Sequence, residues 1–206
     1  MDDLVELPMF PLGSVLFPAM PLPLRVFEER YLQMLKDIFV EEPAEFGVVL
    51  IERGHEVGGG EHRFAVGTVA QVMELAGGDG FVSVMAQGGR RFDVVEWFDD
   101  DPYPRARVRL RPPLVWDEVW RDRRDEVEEL VRTTMARISE FEEQRWSSTI
   151  GLADDPLAAL WQLAAIAPVG DYDQMALLRA ESVEGLLDAV ESATNDAAFT
   201  FDARGL

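Results

Sequence analysis

The chain has 206 residues, 48% of them apolar, with 39 acidic against 19 basic side chains and no cysteine. That apolar content supports one large buried core or two small ones, while a formal charge of −20 repels phosphate backbones and sets nucleic acid aside as a partner. Without cysteine there are no disulfides, thiol nucleophiles, iron–sulfur clusters or thiolate-bound zinc.

In chain order, Met1-Asp2-Asp3-Leu4 has no basic leader character. Early extended segments flank Phe27 to Val40, where Phe27, Tyr31, Leu35 and Ile38 recur at four, four and three, the spacing of an amphipathic helix. Strands are then expected over Glu45 to Ile51, Arg63 to Leu75, Phe81 to Gln87 and Arg91 to Trp97. In the last strand Arg105, Arg107, Arg109 and Arg111 alternate with Ala106, Val108 and Leu110, so one face is buried and the other solvated. The longest apolar runs, such as Phe46 to Ile51, fall far short of the roughly 20 residues that cross a bilayer. A cytoplasmic protein with no membrane partner is expected.

After Pro112-Pro113 the composition turns to Ala, Leu, Glu and Arg. Val127, Val131, Thr134, Ile138 and Phe141 trace one stripe of a long helix from about Asp117 to Trp146. Three shorter helices follow: Pro156 to Ala167, Tyr172 to Ala180 capped by Asp171, and Val183 to about Asn195 capped by Ser182. The expected organisation is a β domain over 1–113 and a small helical bundle over 114–206. Both are acidic, with 11 basic and 19 acidic residues (net −8) in the first and 8 and 20 (net −12) in the second.

Leu7-Pro8-Met9-Phe10-Pro11-Leu12, Val15-Leu16-Phe17-Pro18 and Leu22-Pro23-Leu24-Arg25-Val26-Phe27-Glu28-Glu29-Arg30-Tyr31 resemble the opening signature of Lon protease N-terminal domains. Phe46 to Ile51, Val66-Gly67-Thr68-Val69-Ala70, Gly88 to Phe92 and Tyr103-Pro104 follow in that family's order, and Leu152 to Pro156 and Gln174 to Leu178 are similar to its helical part. The sequence departs at Ala19, where the family usually has Gly, and at Glu29, where Pro is common. The resemblance implies an α+β fold, a PUA-like, mainly antiparallel β-barrel with an inserted helix followed by helices, and a role in recognising proteins for degradation. No Gly-x-x-x-x-Gly-Lys-Ser/Thr loop is present and there is no room for a separate Ser-Lys peptidase domain, so a non-catalytic adaptor is expected.

Phe17-Pro18-Ala19-Met20-Pro21-Leu22 concentrates apolar side chains around prolines, a stiff and donor-poor loop suited to a partner surface. Phe17 and Leu22 have the competing use of plugging a barrel, whereas Met20 can adapt to varied partners. Glu28 and Arg30 bracket the first helix together with Tyr31; an intradomain cap or salt bridge is the commoner use of such charges. Trp116 and Trp120 are candidates for an aromatic groove, with Trp161 assigned to packing. The arginine row reads as the solvated face of an edge strand.

His55 and His62, with Glu56, Glu61 and Gly58-Gly59-Gly60 between them, match no metal-ligand spacing, and no metal or cofactor is expected. With no Gly-x-Ser-x-Gly elbow, a catalytic triad has no support. The expected partners are unfolded or apolar-rich polypeptides, with a protease or ATPase as the open downstream machine. The rival readings are a small hydrolase or peptidase and a regulatory protein docking on one folded partner. The short junction into Trp116 and Trp120 leads to the further expectation that the two halves pack on each other and that the helical half is not dispensable.

Overall fold

Short apolar runs punctuated by glycine and proline give way to helix-forming sequence at Pro113, and the chain divides there into two units, Met1–Pro113 and Leu114–Leu206. The structure is a computed structural model, which describes residues 4–40, 42–53 and 62–203. In the first unit the order is β1 (Leu4–Leu12), β2 (Pro21–Val26), α1 (Glu29–Ile38), β3 (Glu45–Arg53), β4 (His62–Gly78), β5 (Phe81–Trp97) and β6 (Arg105–Leu110). β1 runs parallel to β3, and the remaining pairings are antiparallel.

The pairings β1–β3, β3–β4, β4–β5, β5–β6 and β6–β1 return to their starting strand, so five strands close a ring. β2 is added to the first half of β5, where Val82 to Gln87 face Val26 to Pro21. Closure depends on bending. Register shifts at Thr68/Ala70 and Val72/Glu74 on β4 and at Val94/Glu96 on β5 let one half of β5 pair with β2 while Phe92 to Trp97 pair with β6.

Two expectations are corrected here. β5 is one strand across Gly88-Gly89, not two, because glycine at 88 answers a close backbone approach and not a turn. β6 is not an edge strand, since it pairs with both β1 and β5. Two arginines of the row are held by carboxylates of those neighbours: Arg107 bridges Glu96 at 2.6 Å and Glu6 at 3.2 Å, and Arg111, just past the strand, bridges Asp93 at 2.6 Å.

Met9, Val49, Val69, Phe92, Ala106, Val108 and Leu110 fill the ring as alternate strand positions direct. α1 buries Tyr31, Met34, Leu35 and Ile38, the i, i+3, i+4, i+7 positions of an amphipathic helix. Tyr31 stacks on Phe10, with ring centroids 4.1 Å apart, and Phe10 meets Phe46 in turn. Phe27, expected to begin the helical stripe, lies ahead of the helix and is exposed, because the helix starts at Glu29 with Glu28 as its N-cap residue.

The second unit contains the 3-10 turn Glu118–Trp120 and helices α2 (Arg121–Ser139), α3 (Pro156–Ile166), α4 (Asp171–Leu178) and α5 (Val183–Ala203). α3 is apolar nearly all round and buries Leu160, Trp161, Leu163, Ala164 and Ile166, as a central helix does. α2 presents Val127, Val131, Thr134, Met135 and Ile138 to the unit's core. It stops at Ser139, short of the expected Trp146. Glu140, Glu142 and Glu143 would load negative charge on the negative helix end, and Ser147-Ser148-Thr149 prefer turns. The irregular segment is tied back by Arg132, whose guanidinium donates to the carbonyls of Ser148 at 2.6 Å and Ile150 at 2.9 Å.

α5 runs eight residues past the expected stop at Asn195, since Ala197 and Ala198 favour continuation and asparagine is a weaker terminator than glycine. Ser182 does cap it, accepting from the Gly185 N–H at 3.0 Å. α4 begins one residue early, placing Asp171 in the first turn behind Gly170 instead of at the cap.

Candidate functional site

The proline-framed segment before β2 is locked to the barrel by backbone contacts. The Ala19 N–H donates to the Gly88 carbonyl at 2.8 Å, and the Gly88 N–H donates to the Met20 carbonyl at 2.9 Å. A Cβ at Gly88 would sit 2.1 Å from the Phe17 carbonyl oxygen, so only glycine permits this approach. The buried Thr68 hydroxyl adds a bond to the Leu16 carbonyl at 2.6 Å. Ala19 takes a left-handed φ of 62°, in the position where glycine is usual in the resembling family.

This anchoring decides which side chains face outward. Phe17 (1% exposed), Met20 (6%), Leu22 (5%) and Tyr31 (2%) lie in the core. The expectation that Met20 meets a partner is therefore corrected: its side chain packs inward, as do those of Phe17, Leu22 and Tyr31. Pro18 is half-buried and Pro21 and Pro23 are exposed, so the prolines form the outer surface of this segment.

Because the Met20 carbonyl is directed at β5, the polar groups of Leu22 and Leu24 face β5 too, and those of Pro21, Pro23 and Arg25 face the opposite edge. Among the described residues β2 pairs with β5 alone. Its outer edge thus has acceptors but lacks two donors, which discourages addition of a further strand.

Beside that edge lies a groove of about 420 Å³, lined by Pro23, Leu24 and Arg25 of β2, Ser83 and Met85 of β5, and Glu74 and Leu75 of β4, among others. Pro23 stands opposite Met85 and Met85 opposite Glu74. Met73 in the β4 bulge, Leu75 and Met85 are exposed large apolar side chains, at 56%, 41% and 40%. Arg25 stacks over the Phe81 ring at 3.7 Å and borders the groove. A stiff proline edge, an adaptable methionine and a border of Arg25, Glu74 and Ser83 make a mainly apolar surface suited to binding.

Met85, Met73, Leu75 and Pro23 were not among the residues singled out from sequence. A signal existed: Ser83, Met85 and Gln87 alternate with the buried Val84 and Ala86, so Met85 is an apolar side chain in the outward phase.

The other candidates have local partners. Arg30 pairs with Glu28 at 3.1 Å and lies 4.5 Å from the centre of the Tyr31 ring. Trp116 and Trp120 are half-buried in the second unit and line neither the groove above nor the larger one of the helical unit. The guanidinium of Arg121 and the Trp116 indole N–H, 3.1 Å away, hold the Glu118 carboxyl below the usual carboxylate range. Burial, with a hydrogen bond to Asp37 at 2.9 Å, pushes the Tyr103 phenol up to about 12. The residues from His55 to Glu61 considered for a metal lie outside the described residues, as does the side chain of His62. Among the described residues no group of three or more His, Asp or Glu side chains is placed to hold a metal ion, and no helix is long and apolar enough to cross a membrane.

Residues 6–195 match the family model of the ATP-dependent protease La (LON) substrate-binding domain, and the chain belongs to that family. Among curated relatives it is 38% identical over 105 residues to the Lon protease of Anaeromyxobacter dehalogenans, covering 50% of this chain and 12% of that protein. Lon protease 2 of Myxococcus xanthus is likewise 38% identical over 105 residues, which is 50% of this chain and 13% of that one. The chain therefore spans only about an eighth of these relatives. Among solved structures, a Lon N-terminal domain protein from Xanthomonas campestris superposes with a TM-score of 0.58 at 26% identity, covering 89% of this chain and 98% of that one. The N-terminal domain of the Mycobacterium avium complex Lon protease gives 0.63 at 14% identity over 93% and 99%, a likeness of fold. The fold expected from sequence is thereby met: α+β, with Lon N-terminal neighbours.

Proposed function

We propose that this substrate-binding domain is a non-catalytic adaptor in protein quality control that holds unfolded or apolar-rich polypeptides on the outward face of β2, β5 and β4. The observation that carries the reading is the groove of about 420 Å³ with Met85 exposed beside Pro23 on the outward face. Apolar side chains left in water on a strand face gain free energy when a client covers them, at about 25 cal/mol per Å² of apolar surface buried. Pro21 and Pro23 remove backbone donors from the free edge, so clients are gripped through side chains and not by strand pairing. Pro21 is in phase with Pro23 and extends this face, with Pro18 in the loop just ahead of it.

Side-chain recognition by a shallow apolar surface favours broad, weak binding, which suits a receptor for many unfolded segments. The test is equilibrium binding of fluorescently labelled, denatured casein to the full chain and to its Met85→Asp variant. A loss of about tenfold in affinity, or about 1.4 kcal/mol, is expected with an unchanged melting temperature. Undiminished binding by a folded Met85→Asp protein, or cleavage of casein that a single Ser, His or Glu substitution abolishes, overturns the reading.

A further inference from the structure

The helical unit has a groove of its own, of about 520 Å³, within the range of ligand clefts. Its lining is mixed: Ala189, Ala193 and Ala197 recur every four residues along α5, with Ile138 of α2 and Phe201 at one end, flanked by Ser192, Thr200 and Gln144. Three small side chains in line leave a track along which another helix can approach to an axial separation of about 8 Å. The track from Ala189 to Phe201 is about 18 Å long at 1.5 Å per residue, some three turns. Pro168, Val169 and Gly170, between α3 and α4, form the opposite wall.

Among the described residues the charges that line the groove have one sign: Glu142, Asp173 and Asp196, with Arg137 5.7 Å from the Phe201 ring but paired with Asp202. Asp173 and Asp196 form no ion pair among the described residues, in a unit where α2 and α5 are otherwise joined by pairs such as Arg123 with Glu191 and Arg137 with Asp202. Phe199 is 75% exposed and follows Asp196 by three residues, which places it on the adjoining side of α5. A large aromatic in water beside an apolar track is a feature of association surfaces.

We propose that this groove docks a basic amphipathic helix of a partner protein, with small or aliphatic side chains on the alanine track and Lys or Arg opposite Glu142, Asp173 and Asp196. Charge decides against a second copy of this chain as the occupant. The unit bears 8 basic against 20 acidic residues, so self-docking would bring two such fields together, whereas a basic helix is drawn in from solution. The inference does not depend on the polypeptide face of the barrel.

The probe is a 14-residue amphipathic helix of Leu, Ala and Arg, paired with a twin carrying Glu for Arg, titrated by fluorescence anisotropy into the full chain. The basic peptide is expected to bind at least tenfold more tightly than the acidic twin and to lose several-fold in affinity between low and high salt. Ala193→Met, a neutral filler of the track, should weaken it about tenfold. The exposed double variant Asp173→Asn/Asp196→Asn should weaken it several-fold without disturbing the fold, and Met85→Asp should leave it unchanged. Equal affinity for the two peptides, or wild-type affinity in the folded Asp173→Asn/Asp196→Asn protein, overturns the proposal. So does binding lost through Met85→Asp instead. Concentration-dependent dimerisation that Ala193→Met abolishes would assign the groove to a second copy and likewise overturn it.

Discussion

The two units hold their surfaces in place by different means. In the barrel, the outward face beside β2 is positioned by buried backbone contacts at Gly88, a buried hydroxyl at Thr68 and a left-handed turn at Ala19. In the helical unit, α2 and α5 are joined at the surface by exposed ion pairs: Arg123 with Glu191 and Asp188, and Arg137 with Asp202. Close-packed backbone cannot give way, and solvated charges can. A given insult should therefore damage the first unit far more than the second, and salt or acid should separate them in the opposite sense.

The largest effect is expected from Gly88→Ala. The new methyl would stand 2.1 Å from the Phe17 carbonyl oxygen, so either the loop or β5 must move, at roughly 3 kcal/mol or more. Chemical denaturation should show it, and binding of denatured casein should fall as the proline edge shifts. A Gly88→Ala protein as stable as the parent would break the claim that this loop is held by close approach.

Ala19→Gly sharpens the same point with the opposite sign. At φ 62° an alanine bears left-handed strain that glycine does not, and after the entropy glycine loses on folding the gain should be about 0.5–1 kcal/mol. A raised denaturation midpoint with an unchanged slope is the expected readout. A lowered midpoint would mean that the turn is not strained.

The smallest effect belongs to the helical unit. Hydrogen bonding to Arg123 holds the Glu191 carboxyl below its ordinary range, so the native state favours its charged form. That contribution is present above the unfolded carboxylate value of 4.5 and is lost as pH falls through and below it. Because the pair is exposed, Arg123→Ala should lower the melting temperature slightly at neutral pH and low salt, and not at all at high salt or well below pH 4. A large loss that persists at high salt would place these pairs on the same footing as the barrel contacts.

Much of the fold was legible in the sequence because periodicity reports burial one element at a time. The strict alternation of Arg105 to Arg111 located β6, and the spacing of Tyr31, Leu35 and Ile38 located α1. What periodicity does not carry is pairing. β6 reads as an edge strand until β1 and β5 are seen on either side of it, and Gly88-Gly89 reads as a break until Phe17 is seen against it. The candidate site was half legible for the same reason. Proline content marked the right segment, but the inward turn of Phe17, Met20 and Leu22 is set by hydrogen bonds to Gly88, seventy residues away in sequence. Met85 was the readable residue, since the phase of β5 alone directs it outward.

The most direct test of the polypeptide-binding face is photocrosslinking from defined surface positions. A photoreactive phenylalanine derivative would replace Met85 or Glu74, which stand opposite each other and line the groove, or Val95, which is also exposed but lies ten residues further along β5. After irradiation with denatured casein, crosslinks are expected from positions 85 and 74 and not from 95, and excess unlabelled casein should suppress them. Equal yields from all three positions, or crosslinks from 95 alone, would contradict the assignment of the β2–β5–β4 face.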